Sequence, residues 1–172
     1  MDVHIVSIDH KIQLLEAQSD TINRRTLKVK LRAILEEHLA EHQVAAVFEE
    51  SLPTVMTIAR ELADQSNPKI PWDCILMDEG ERRAEGIFEA LDNRPSRPDP
   101  NNPNEEIEKR IPEDDIREDF FVRKILLAEN AVGEVLVLLG DMHEMPVAQK
   151  LQARGHTVTS RHELVTGKRW EL

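Results

Sequence analysis

The chain has 172 residues, 40% hydrophobic and 32% charged, which suits one globular domain with a sizeable core and excludes a disordered segment. Its formal net charge is −11, aromatic residues make up 3% and tyrosine is absent, so nucleic acid would be repelled on average and a stacking platform for single strands is poorly supplied. A single cysteine, Cys74, excludes an internal disulfide and a cysteine-based zinc site. No apolar run is long enough to span a bilayer and residues 1–10 lack a signal-peptide pattern, so the expected compartment is the cytoplasm.

In chain order, Val3-His4-Ile5-Val6-Ser7-Ile8 alternates apolar with polar or small residues and predicts a strand ending at Asp9-His10. Asp20 is the expected N-cap of a long helix to about 43, in which Leu27, Leu31, Leu35 and Leu39 recur every fourth residue. The run Val44-Ala45-Ala46-Val47-Phe48, ending in Glu49-Glu50, suits a strand buried on both faces. Pro53 is expected to open a helix to about 64, which Asn67-Pro68 and Pro71 end. A third apolar run, Asp73-Cys74-Ile75-Leu76-Met77, stops at Asp78-Glu79-Gly80 and leads into a helical segment over 81–91. Prolines and asparagines crowd 93–104 and predict a flexible loop.

Helix resumes at Pro112, with Glu113, Asp114 and Asp115 where the helix dipole favours acids, and is expected to reach about 130. Glu134-Val135-Leu136-Val137-Leu138-Leu139 is the clearest buried strand. Gly140-Asp141-Met142-His143 follows, then an expected helix over 146–154, Gly155 as its stop and a last strand over 156–160. Strand–helix alternation predicts an α/β fold in a single domain over 1–172: a mainly parallel sheet of about five strands covered by helices.

In open parallel sheets, ligands bind beyond the carboxyl ends of the strands. There this chain places Asp9-His10, Glu49-Glu50, Asp78-Glu79 and Gly140-Asp141-Met142-His143. Acids after strands often only cap the next helix, so Asp78 alone carries little. Two imidazoles with a carboxylate can hold a divalent metal that acidifies water, and nitrogen and oxygen ligands without thiolate suit zinc, manganese, iron or cobalt. Without metal, a His–Glu pair can act as general acid and base. The plainer alternative is that His10 and His143 cap helices or satisfy buried carbonyls. Arg117 shares a helix face with Phe121 and Ile125, so it either snorkels, forms an ordinary ion pair or points its donors into a pocket.

Gly140-Asp141-Met142-His143 after a buried strand resembles the G-x-x-H motif of the TraB/Tiki group, within the wider set of folds that includes ChaN-like proteins and erythromycin esterases. The group's first G-x-x-H falls on Ser7-Ile8-Asp9-His10, with serine for glycine. Its strand-end glutamate falls on Glu49, and its arginine helix motif resembles Arg117-Glu118-Asp119-Phe120-Phe121 through Ile125. The resemblance implies a metal-dependent hydrolase of peptide, amide or ester bonds. His10, Glu49 and His143 would hold manganese, cobalt, zinc or iron, or act as acid and base, and Arg117 would stabilise negative charge in the transition state. A small molecule or peptide would be the substrate; nucleic acid and membrane are not expected as partners. The other reading is a non-catalytic module that keeps the fold and binds a small ligand or a partner protein, as a homodimer.

Other features read as ordinary structure. His38 and His42 are four residues apart, a spacing that can bind metal, but the glutamate is not placed as in H-E-x-x-H and a solvated helix face is expected. Arg82 and Arg83 belong to a solvated first turn, and Cys74 to the core. No phosphate-binding glycine loop and no G-x-S-x-G elbow occur.

Overall fold

The computed structural model describes residues 1–15, 20–87, 96–100, 102–164 and 169–171. In chain order these form β1 (Asp2–Ile8), α1 (His10–Gln13), α2 (Ile22–Glu41), β2 (Val44–Glu49), α3 (Ile58–Gln65), β3 (Trp72–Cys74) and α4 (Glu79–Ala84). There follow β4 (Ser96–Asp99), β5 (Asn102–Lys109), α5 (Pro112–Ile125) with a short 3-10 turn over Leu126–Ala128, β6 (Glu134–Gly140), α6 (Asp141–Gln152), β7 (Thr157–Leu164) and β8 (Arg169–Glu171). A five-stranded sheet runs in the order β3-β2-β6-β1-β7, and every neighbouring pair is parallel. The α/β expectation is borne out.

Alternation along the strands divides the core in two, because successive side chains leave a strand on opposite faces. Val135, Val137 and Leu139 of β6 join Ile5 and Phe48 on the face covered by α5 and α6, where Phe121, Ile125, Val147 and Leu151 are fully buried. Leu136 and Leu138 join Val6, Ile8 and Val47 on the other face, under Leu31 and Leu35 of α2 and Ile58, Leu62 and Ala63 of α3. Burial on both faces explains why β6 reads as an unbroken apolar run.

Several boundaries differ from expectation, each for a local reason. The cap of α2 is Thr21, whose Oγ1 accepts from Arg24 N at 3.2 Å, while Asp20 pairs with the buried Lys28 ammonium at 2.6 Å. Thr57 caps α3, its hydroxyl accepting from Arg60 N at 3.1 Å, so that helix opens five residues after Pro53. Asp78 and Glu81 form a reciprocal capping box on α4, and positions 88–91 of the expected helix lie outside the described residues. Pairing of β3 ends at Cys74, though Ile75 and Met77 beyond it are buried. The first helix of the second half does begin at Pro112.

The span 93–104, read as a flexible loop, holds β4 and the start of β5, an antiparallel pair in a second sheet of order β4-β5-β8; 93–95 and 101 lie outside the described residues. Pro98 fits because β4 is an edge strand, where a missing N–H costs no ladder bond. β7 continues to Leu164, which pairs with Ile8 across a register shift. Finally, α6 starts at Asp141 directly after β6, with Gly140 as its cap and Pro146 inside the helix, so His143 sits in the first turn rather than in a loop.

Candidate functional site

The sheet order does the assembling. β6 lies between β2 and β1, so Ile8 pairs with Gly140, and Glu50 N donates to Leu138 O at 3.0 Å. The residues following these three strands, His10, Glu50 and His143, therefore meet although the chain separates them widely.

Glu50 is the hub. Its carboxylate is buried, and Arg117 Nη2 donates to Oε1 at 2.9 Å while Gly140 N donates to Oε2 at 3.0 Å. His10 Nε2 lies 3.5 Å from Oε2, and His143 Nε2 lies 3.8 Å from Oε1. Burial pushes the Glu50 carboxyl up, but the imidazoles of His10 and His143, the Arg117 guanidinium and the Gly140 amide outweigh it and hold the group below the usual carboxylate range. Gly140 has no side chain to cap α6, and Glu50 takes its N–H from a neighbouring strand, as a capping-box glutamate would from within a helix.

A second carboxylate sets the orientation of His143. His143 Nδ1 donates to Glu118 Oε1 at 3.0 Å, and Arg110 grips both Glu118 oxygens at 2.6 and 2.8 Å. Burial raises the Glu118 carboxyl, yet its bonds from His143 and Arg110 bring it below its ordinary value. The Phe121 ring meets the His143 ring edge-on at 5.3 Å. His143 is thus buried and fixed, whereas the His10 side chain is 49% exposed and forms the face of the cluster open to solvent.

Arg117 does point inward, sharing its face with the buried Phe121 and Ile125. Its Nη2 is taken by Glu50, and Nη1 lies 3.6 Å from Asp114 Oδ1. Glu49, the strand-end glutamate singled out from the sequence, is not in this cluster. One residue before Glu50, it leaves the sheet on the α3 face, where Oε2 accepts from Thr57 Oγ1 at 2.5 Å and from Trp72 Nε1 at 2.8 Å. Desolvation is the largest influence on it and outweighs those two bonds and the nearby charges of His10 and Arg60, raising its pKa to about 7. Ser7, in the place of the motif glycine, is fully buried, and its Oγ makes no hydrogen bond among the described residues. Asp78 serves as a helix cap.

Sequence reasoning placed Glu50 at the rim but chose Glu49, named Glu118 without a role and missed Arg110. Glu50 and Glu118 stood beside the residues chosen; Arg110 precedes the helix and carried no recognisable signal. It also dismissed the His38/His42 pair and so missed a second cluster, at the opposite ends of the strands. His4 of β1, His38 of α2 and Glu134 of β6 bring one ligand atom each to within 4.8 Å of one another, a group that could hold a metal ion. His38 is buried, not on a solvated face. The His4 and His38 rings stack at 4.3 Å and those of His38 and His42 at 4.4 Å. Desolvation foremost, with the neighbouring imidazoles and Arg161, lowers both His4 and His38 to about 4. Among the described residues no helix is long and apolar enough to cross a membrane.

Comparison with known proteins adds no relative: no family model, no curated protein and no solved structure matches this chain.

Proposed function

We propose that the chain is a hydrolase of peptide, amide or ester bonds that works by acid–base chemistry where β1, β2 and β6 end. The observation supporting this reading is the linked series Arg110–Glu118–His143–Glu50–His10, in which Glu118, His143 and Glu50 are buried and the last member is a half-exposed imidazole. A general base needs one face open to substrate and its other contacts fixed. His10 is that base: it takes a proton from water as the water oxygen bonds to the carbonyl carbon, and returns it to the leaving nitrogen or oxygen as the old bond breaks. Glu50, 3.5 Å from its Nε2, positions His10. Arg117, committed to Glu50, is a positioning residue here rather than an oxyanion donor.

The metal ligands implied by the family resemblance, His10, Glu49 and His143, do not fit together. Glu49 faces the other side of the sheet, and the carboxylate that does lie between the histidines already holds the Arg117 cation. Manganese, cobalt, zinc or iron on that set therefore has no step in this mechanism. The same reading places the chain in the cytoplasm, acting on a small molecule or peptide and not on nucleic acid, consistent with its charge of −11.

A binding module is the second reading, favoured by the exposed Leu14, Leu52, Met56 and Met145 on segments that follow β1, β2 and β6. One assay separates the two. The purified chain is offered a panel of aryl esters, aryl amides and peptides, beside His10→Ala. Hydrolysis above the buffer rate, falling roughly 100-fold or more in His10→Ala with the fold unchanged by circular dichroism, is the expected result. Turnover that His10→Ala leaves intact, or none by the wild type, overturns the hydrolase reading.

A further inference from the structure

The cluster at the amino ends of β1 and β6 is built in a way that plain packing does not explain. Three of its atoms, His4 Nε2, His38 Nε2 and Glu134 Oε1, are buried and make no hydrogen bond among the described residues. His38 is 6% exposed, and its Nε2 comes within 2.7 Å of Glu134 Oε1 without hydrogen-bond alignment. Buried polar atoms are ordinarily hydrogen-bonded, so three that are not, two of them only in ionic contact with each other, call for a shared partner where they converge. All three come from different elements, and strand alternation puts His4 and Glu134 on the sheet face that α2 covers.

We infer that His4 Nε2, His38 Nε2 and Glu134 Oε1 form a divalent transition-metal site of zinc type. Two imidazoles and one carboxylate with a position left open is a donor set zinc accepts, and imidazole also suits cobalt and nickel. The outer contacts are those a metal site needs. His4 Nδ1 is 2.7 Å from Thr159 Oγ1, which fixes the ring and leaves Nε2 for the metal. His42 Nδ1 lies 3.3 Å from Glu134 Oε2 and steadies the second carboxylate oxygen. Arg161, the nearby cation, is paired with Glu37 at 3.6 Å, which offsets its repulsion of a metal. Bound there, the ion ties the end of α2 to two central strands, at the far end of the sheet from Glu50.

The test is titration of the metal-free full chain with zinc by calorimetry, and with cobalt by visible absorption, for wild type, Glu134→Gln, His38→Gln and His10→Ala. Wild type and His10→Ala are expected to bind one equivalent, with a tetrahedral cobalt spectrum and a raised Tm. Glu134→Gln and His38→Gln are expected to bind at least about tenfold more weakly. Glu134 is partly exposed at a strand start, so Glu134→Gln serves if His38→Gln fails to fold. No binding by the wild type, equal binding by Glu134→Gln, or binding lost in His10→Ala overturns the site.

Discussion

Glu49 and Glu50 are neighbours in the chain and strangers in the fold. Both follow Phe48, and a period of two sends Glu50 to the α5 side with Phe48 and Glu49 to the α3 side with Val47. That alternation was readable; which face Arg117 would cover was not, because it depends on where a distant helix docks. His38 is the converse case. It falls seven residues after Leu31 and three after Leu35, on the buried stripe, so its burial was legible in the spacing that the apolar residues had already established. Glu49 yields a prediction at this scale. Its folded pKa of about 7 lies above the ordinary carboxylate value of 4.5, so the folded chain keeps a proton that the unfolded chain releases. Stability from this group is present below about pH 4.5 and is lost as pH rises to about 7, by roughly 3 kcal/mol in all. Glu49→Gln removes that dependence. Urea unfolding at pH 5 and pH 8 should show the variant gaining on wild type at the higher pH; an unchanged difference contradicts the assignment.

Elements were legible where apolar periodicity was strong, as in β1, β2, α2, α5 and β6, and were misplaced where a cap or an edge decided them. Threonines outcompeted Asp20 and Pro53 as helix starts, and proline-rich chain became an edge strand. The start of α6 matters most for the site. Gly140 ends β6 and caps α6 with φ of −59°, a conformation any residue adopts, so only space demands glycine there. A Cβ at Gly140 would meet His10 Nε2 at 2.8 Å and Glu50 Oε2 at 3.3 Å. Gly140→Ala should therefore displace His10, lowering kcat/KM about tenfold or more while moving Tm by only a few degrees. An alanine variant with full activity would show that His10 does not need its observed position. Gly133 is glycine for a different reason: its φ is +127°, and a Cβ would stand 2.3 Å from Gln43 O.

At the scale of the molecule, strand–helix alternation announces a parallel sheet but not the order of its strands. The order β3-β2-β6-β1-β7 sets the end of β6 between those of β2 and β1, and so brings residues 10, 50, 117, 118 and 143 together. β1 and β6 carry the His4–His38–Glu134 cluster at their other end, roughly 20 Å away by the rise of β6 from Glu134 to Gly140. Changes at the two ends should be close to additive, since among the described residues the two clusters share no contact.

The most direct test of this account compares Glu50→Gln with Glu49→Gln, in kcat/KM on the best substrate of the panel, each with its fold checked by near-ultraviolet circular dichroism. The account predicts a loss of at least about 100-fold for Glu50→Gln, whose carboxylate steadies His10, and activity within a few-fold of wild type for Glu49→Gln. Undiminished turnover in Glu50→Gln, or a loss confined to Glu49→Gln, would contradict it.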